Sequence, residues 1–338
     1  MRRFLASTSL CACVVLGTSA LLWASAAETY KGMCDGSAGV AITPDLFVVA
    51  NDDGQTLRVY RRGTPEPLQE FDMDLNPFLS TDDANNQEAD IEAVARVKGR
   101  AYWMTSHGRD SDAVEHETRR RFFATELKLT GDKVTIEPVQ RPYTRLLDDL
   151  FNAESLRHYT SLLRHGATLA PESKGGLNIE GLAATPEGQL LIGFRNPILP
   201  NGSALVVPLL NPEDVVNGQT ARFGDPRELK LGGLGIRSID YVAARQSYWI
   251  IAGPSGDEGE FKLFEWSGSG DPAPRTDVTF DHQMHPEALV TFPDNQSNVL
   301  VLMDDGDIRG MDPSSNKKCK NVAQDLKRFR AISVPLVP

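Results

Sequence analysis

Aromatic residues are scarce in this 338-residue chain, at 7%, and there are only four cysteines. Beyond residue 26 no segment is apolar for long enough to span a bilayer as a helix, which argues against a membrane protein once that segment is gone. No run of lysine and arginine interrupts a chain of formal net charge −11, so nucleic acid and anionic membranes are disfavoured as partners. Also missing are Gly-x-Ser-x-Gly, a phosphate-binding P-loop, a Gly-x-Gly-x-x-Gly turn at a strand–helix junction and paired histidines at zinc spacing. Serine-hydrolase, nucleotide-binding and zinc-protease chemistry therefore have no sequence support.

The N-terminus carries an export signal. Arg2 and Arg3 precede an apolar stretch through Val14, Val15, Leu21 and Leu22, and Ala24-Ser25-Ala26 offers the small residues a signal peptidase needs. Residues 1–26 are expected to be removed, leaving 27–338 as one secreted or periplasmic domain; an uncleaved anchor is the alternative. Cys11 and Cys13 leave with the signal. Cys34 and Cys319, one near each end of what remains, are expected to pair in an oxidising compartment, the alternative being two unpaired thiols. Such a bridge would fasten the ends of a closed ring and contribute up to about 5 kcal/mol on chain-entropy grounds.

A short phrase recurs along the chain. Ile91-Glu92-Ala93-Val94-Ala95 returns as Ile179-Glu180-Gly181-Leu182-Ala183 and as Pro286-Glu287-Ala288-Leu289-Val290. Weaker copies are Ser37-Ala38-Gly39-Val40-Ala41 and Ser238-Ile239-Asp240-Tyr241-Val242, and an apolar run follows each copy. A strand–turn–strand unit repeating at intervals of roughly 50 to 90 residues predicts an all-β fold, a β-propeller of five blades. Six blades would follow if residues 130–145 and 220–232 conceal further strands. The fifth unit is expected to use Ile308–Met311, and Ala331–Leu336 to complete the first blade. Between units two and three, Leu146, Leu147, Leu150, Phe151, Leu156, Tyr159, Leu162 and Leu163 fall at helical spacing, predicting a helical insertion over about 145–165. It would serve as a packed buttress or as a lid over the central opening.

If each repeat opens the innermost strand of its blade, Glu92, Glu180 and Glu287 share one ring around the channel. Carboxylates converging there need a cation, a shared proton or arginine partners, because buried like charges are costly. Calcium, which takes many oxygen ligands, would suit all three as metal ligands. Arg109, Arg195 and Arg237 occupy related places and would either form salt-bridged spokes or, with Asp240, bind a small anionic ligand. His107, beside polar partners in Ser106-His107-Gly108-Arg109, is a candidate catalytic base alongside Glu92 and Glu180. The Asp-rich turns Asn51-Asp52-Asp53-Gly54 and Asp304-Asp305-Gly306-Asp307 read as hairpin turns.

At Gly175-Gly176-Leu177-Asn178-Ile179-Glu180-Gly181-Leu182-Ala183 and Leu191-Ile192-Gly193-Phe194-Arg195-Asn196-Pro197 the chain resembles an uncharacterised domain family of exported bacterial proteins. That resemblance runs over roughly residues 35–335 and includes Asp90-Ile91-Glu92, Ser106-His107 and Ile236-Arg237-Ser238-Ile239-Asp240. More distantly the chain is similar to the phytase-like (esterase-like) family through the Ile-Glu-Gly-Leu phrase. The distant resemblance implies calcium-assisted phosphoester hydrolysis on a propeller scaffold. The competing expectation is a monomeric, non-enzymatic scaffold for a ligand or protein partner, with the ring residues structural.

Overall fold

The computed structural model describes residues 27–336 except 53, 69–71, 82–87, 132, 257, 294–296, 307–320 and 322. In chain order the strands are β1 (Glu28–Lys31), β2 (Ala38–Ala41), β3 (Leu46–Ala50), β4 (Thr56–Arg61), β5 (Met73–Asp74), β6 (Ile91–Val97), β7 (Arg100–Thr105), β8 (Phe122–Thr130), β9 (Lys133–Tyr143) and β10 (Asn178–Ala184). Then follow β11 (Leu190–Asn196), β12 (Ala204–Leu209), β13 (Arg227–Leu229), β14 (Gly235–Val242), β15 (Ser247–Gly253), β16 (Lys262–Trp266), β17 (Ala273–Pro274), β18 (Pro286–Val290), β19 (Asn298–Met303) and β20 (Arg328–Pro335). They pair as five four-stranded antiparallel sheets, four of them meanders and the fifth completed by β1 from the N-terminus. The inner strands neighbour one another in the order β2, β6, β10, β14, β18 and back to β2, so the fold is a five-bladed β-propeller.

Blades stacked face to face bury their second strands on both sides, so those strands read as nearly continuous apolar runs. Leu46–Ala50 and Ser247–Gly253 are buried at every position, whereas both residues of the outermost β17 are exposed. The strands concealed in 130–145 and 220–232 are β9 and β13, the fourth strands of blades two and three, and no sixth blade results.

Closure of the ring corrects one expectation. Ala331–Leu336 does not complete the first blade; β20 pairs with β19 in the fifth, with Val301 opposite Ile332. The N-terminal strand β1 adds outside it, with Tyr30 opposite Phe329. Part of the small aromatic complement gathers at this seam. Tyr30 stacks on Phe329 at 5.4 Å and meets Phe47 and Tyr60 edge-on, fastening blade five to blade one. Each such pair contributes about 0.5–1.5 kcal/mol beyond its buried area. The expected strand Ile308–Met311, Cys319 and the signal segment 1–26 lie outside the described residues. Cys34 is buried.

The insertion folds as α2 (Leu146–Asn152) and α3 (Thr160–Gly166), after α1 (Asn76–Leu79) and before α4 (Pro212–Val216). Leu146, Leu150, Leu156 and Leu163 join one apolar cluster with Tyr102 and Phe122 of blade two and Leu205 and Val207 of blade three. This is the arrangement of a buttress. At its exit the chain returns so closely that a Cβ on Gly176 would sit 2.1 Å from the Ala170 carbonyl oxygen. Only glycine fits that approach.

Candidate functional site

Four inner strands share an irregularity. Pairing with the second strand slips between Ile91 and Ala93, between Ile179 and Gly181, between Ile236 and Ser238, and between Pro286 and Ala288. The residues at the slips are Glu92, Glu180, Arg237 and Glu287. A β-bulge re-aims the extra residue and bends its strand, so the repeated phrase is a repeated bulge that turns one side chain per blade toward the axis. The fourth copy therefore starts at Ile236-Arg237, two residues before the start expected from Ser238. Blade one has no slip in its ladder. In blade three, Gly181 lies opposite Gly193, and a Cβ on either would meet the Ile236 side chain at 2.8 Å; bare backbone lets blade four close in.

The charges converge. Arg195 donates to Glu180 from Nη1 at 2.9 Å, while its Nε and Nη2 reach the carbonyls of Pro254 and Gly256. Arg237 bridges two blades, with Nη1 3.2 Å from Glu180 Oε2 and Nη2 2.9 Å from Glu287 Oε1. Asn178 donates to Glu180 at 2.8 Å. Glu180 is 3% exposed, and Arg195 and Arg237 are each 7% exposed, so solvent screens these pairs little. Burial alone would lower the Arg237 pKa, but Glu180, Glu287 and Glu92 around it raise it above its ordinary value. Its guanidinium stays charged.

Glu92 differs. No hydrogen bond or ion pair holds it among the described residues. Burial first, then the carboxylates of Asp90, Glu180 and Glu287, push its pKa well above the usual range, and Arg237 offsets only part of this. Burial likewise raises the Glu287 pKa well above the usual range, with Arg237 opposing it.

In this arrangement the three glutamates are not grouped around a common point. Among the described residues no group of three or more His, Cys, Asp or Glu side chains is placed to hold an ion, and Arg237 supplies the positive charge that calcium would have brought. The residues present, with Arg237 paired to two of the glutamates, are a poor fit to calcium.

The other candidate residues lie apart from it. Arg109 donates to the carbonyls of Ala167 and Ala113 and to Glu115, tying the loop after β7 to the end of the insertion. His107 is buried at φ +57°, and its Nδ1 donates to the Thr105 carbonyl at 2.8 Å. Burial lowers its pKa to about 4, so it is neutral, with Nε2 lacking a hydrogen-bond partner. Asp240 sits further along its strand, where it accepts from Thr291 Oγ1 at 2.6 Å and from the Tyr241 amide at 2.8 Å, joining blade four to blade five. Burial raises its pKa to about 6 against those hydrogen bonds.

Two further charge clusters were not foreseen. Arg119 binds Asp90 at 2.6 Å and Glu88 at 3.3 Å, and Arg330 grips the buried Asp305 at 2.7 Å. Each joins residues far apart in sequence and outside the repeat, so periodicity held no signal for them. Between the two ends of the channel, Ala38, Gly39, Leu182, Ser238, Leu289 and their neighbours leave a space of only about 10 Å³ beside Glu92, too little for more than one water.

The chain belongs to the family described as "Protein of unknown function (DUF3616)", whose model matches residues 134–310. No curated protein matches it. Among solved structures it is similar to a glutaminyl cyclase from Myxococcus xanthus, at 10% identity over 92% of this chain and 95% of that one, with a TM-score of 0.45. It is also similar to the PQQ-bound aldose sugar dehydrogenase of Streptomyces coelicolor, at 9% identity over 92% and 99% of the two chains, with a TM-score of 0.41.

Proposed function

We propose that this protein is an exported, non-catalytic binding propeller whose carboxylate–arginine ring holds its blades together. The observation that carries the reading is that both ring arginines are paired within the protein, although Arg237 Nε has no hydrogen-bond partner among the described residues. Arg195 spends its donors on Glu180 and two backbone carbonyls, and Arg237 spends both terminal nitrogens on Glu180 and Glu287. A phosphoesterase needs guanidinium forks open to the transferring group. Here that geometry is taken up inside the protein, which speaks against the phosphoester hydrolysis that the phytase-like resemblance implied. Export follows from the N-terminal pattern of residues 1–26, and with it a Cys34–Cys319 bridge, which alkylation of the mature protein before and after reduction would reveal by mass.

The test pairs turnover with stability. A panel of phosphomonoesters and diesters, with and without calcium, is expected to show no hydrolysis, and calcium no rise in melting temperature. Glu180→Gln is expected to lower the melting temperature. Measurable hydrolysis that disappears in Glu180→Gln while stability is unchanged would overturn the reading.

A further inference from the structure

We propose that the mouth opposite the charged ring binds a small organic carboxylate with an apolar body, its anionic group held between Arg96 and Lys98. This extends the binding reading by assigning it a ligand class and a place. The hairpins at the far ends of the inner strands of all five blades enclose a funnel of about 870 Å³, within the range of small-molecule sites. Its wall includes the apolar side chains of Ile42, Pro44, Tyr241, Val242 and Phe292.

The cationic groups are placed for an anion. Arg96 donates from Nη1 to the carbonyls of Ala41 and Ile42 at 2.7 and 2.9 Å, and from Nε to the Lys98 carbonyl at 3.0 Å. Those three bonds fix the guanidinium against blade one and leave Nη2 as its open donor. Among the described residues no carboxylate neutralises Arg96, and burial lowers its pKa with no acidic partner opposing. With Nε and Nη1 both engaged, Arg96 has no two-nitrogen fork to give. A carboxylate, one oxygen on Arg96 and one on Lys98, matches this better than a phosphate that three donors would surround.

Two independent observations support the assignment. Lys98 sits at φ +57°, a left-handed conformation that glycine or asparagine would adopt at less cost, so a lysine there carries backbone strain. The carboxyl in the funnel wall, Asp240, turns its oxygens to Thr291 and the Tyr241 amide. On the blade-five side Arg62 lies over the Phe292 ring, 4.4 Å from its centroid, adding positive potential behind the apolar wall.

The test uses 1-naphthoate and octanoate as ligands, with 1-naphthylmethanol as the neutral control and inorganic phosphate as the rival anion. Binding is followed by saturation-transfer NMR and isothermal titration on the mature protein. Saturable binding of either carboxylate, weaker binding of the alcohol, and a loss of roughly 10-fold in Lys98→Gly are expected. The melting temperature of Lys98→Gly should hold or rise, because glycine relieves the strain. Absence of binding by both carboxylates, unchanged binding in Lys98→Gly, or phosphate binding more tightly than both would overturn the proposal. Failure of the non-catalytic reading would show instead as hydrolysis sensitive to Glu180→Gln, a different variant and a different readout.

Discussion

The two ends of the channel use charge in opposite ways. At one end Glu180, Glu287, Arg195 and Arg237 consume one another, and three blades are joined through a single guanidinium. At the other, Arg96 and Lys98 have no carboxylate partner among the described residues, and the guanidinium is held by carbonyls. A charge paired inside the fold stabilises position and has nothing left for a ligand. A charge held by neutral acceptors keeps its field. The end richer in ionisable groups is therefore the poorer candidate for binding an anion.

The largest test of this contrast is Arg237→Leu. Removing the shared guanidinium strands Glu180 against a single remaining arginine and leaves Glu287 buried without its partner, at an expected cost of about 3–5 kcal/mol in urea denaturation. An unchanged midpoint would break the comparison. Glu180→Gln should cost less, about 2–3 kcal/mol, because Arg195 keeps two carbonyls and Arg237 keeps Glu287.

Glu92→Gln has the opposite sign. A carboxyl whose pKa the fold raises contributes stability below its unfolded value, about 4.3, and loses that contribution as pH climbs through the folded value. Glu92→Gln removes the charging step. It should therefore be more stable than the wild type at pH 8, by on the order of 1 kcal/mol, and show a flatter stability profile from pH 4 to 8. Asp240 adds a second loss in the wild type as pH passes about 6, which Glu92→Gln should retain. The smallest effect belongs to the open end. Lys98→Gly should move stability by no more than about 0.5–1 kcal/mol, upward, while binding falls.

Much of the fold was legible because a propeller repeats its physics. The same alternation of apolar strand and polar turn recurred, and the three strong copies of the phrase fall on the inner strands β6, β10 and β18. The ring glutamates were legible for the same reason, since Glu92, Glu180 and Glu287 hold one place in the phrase. Arg237 was harder to align. It breaks the pattern chemically while keeping it geometrically, and only the bulge between Ile236 and Ser238 shows that it is the fourth member. Closure was misassigned because a strand's partner in another blade leaves no local trace, and β1 is only four residues long.

By itself the sequence determined the repeated strand unit, the inward-facing glutamate in three copies of the phrase, and the amphipathic insertion, all of which depend on periodicity within tens of residues. Tertiary structure alone decided which charges meet. Arg195 and Arg237 neutralise the ring while Arg109 ties down a loop, and Arg96 and Lys98 remain open at the far mouth. Those outcomes depend on distances between blades, where a shift of a few ångströms separates a buried ion pair from a free cation, and linear order does not encode such distances.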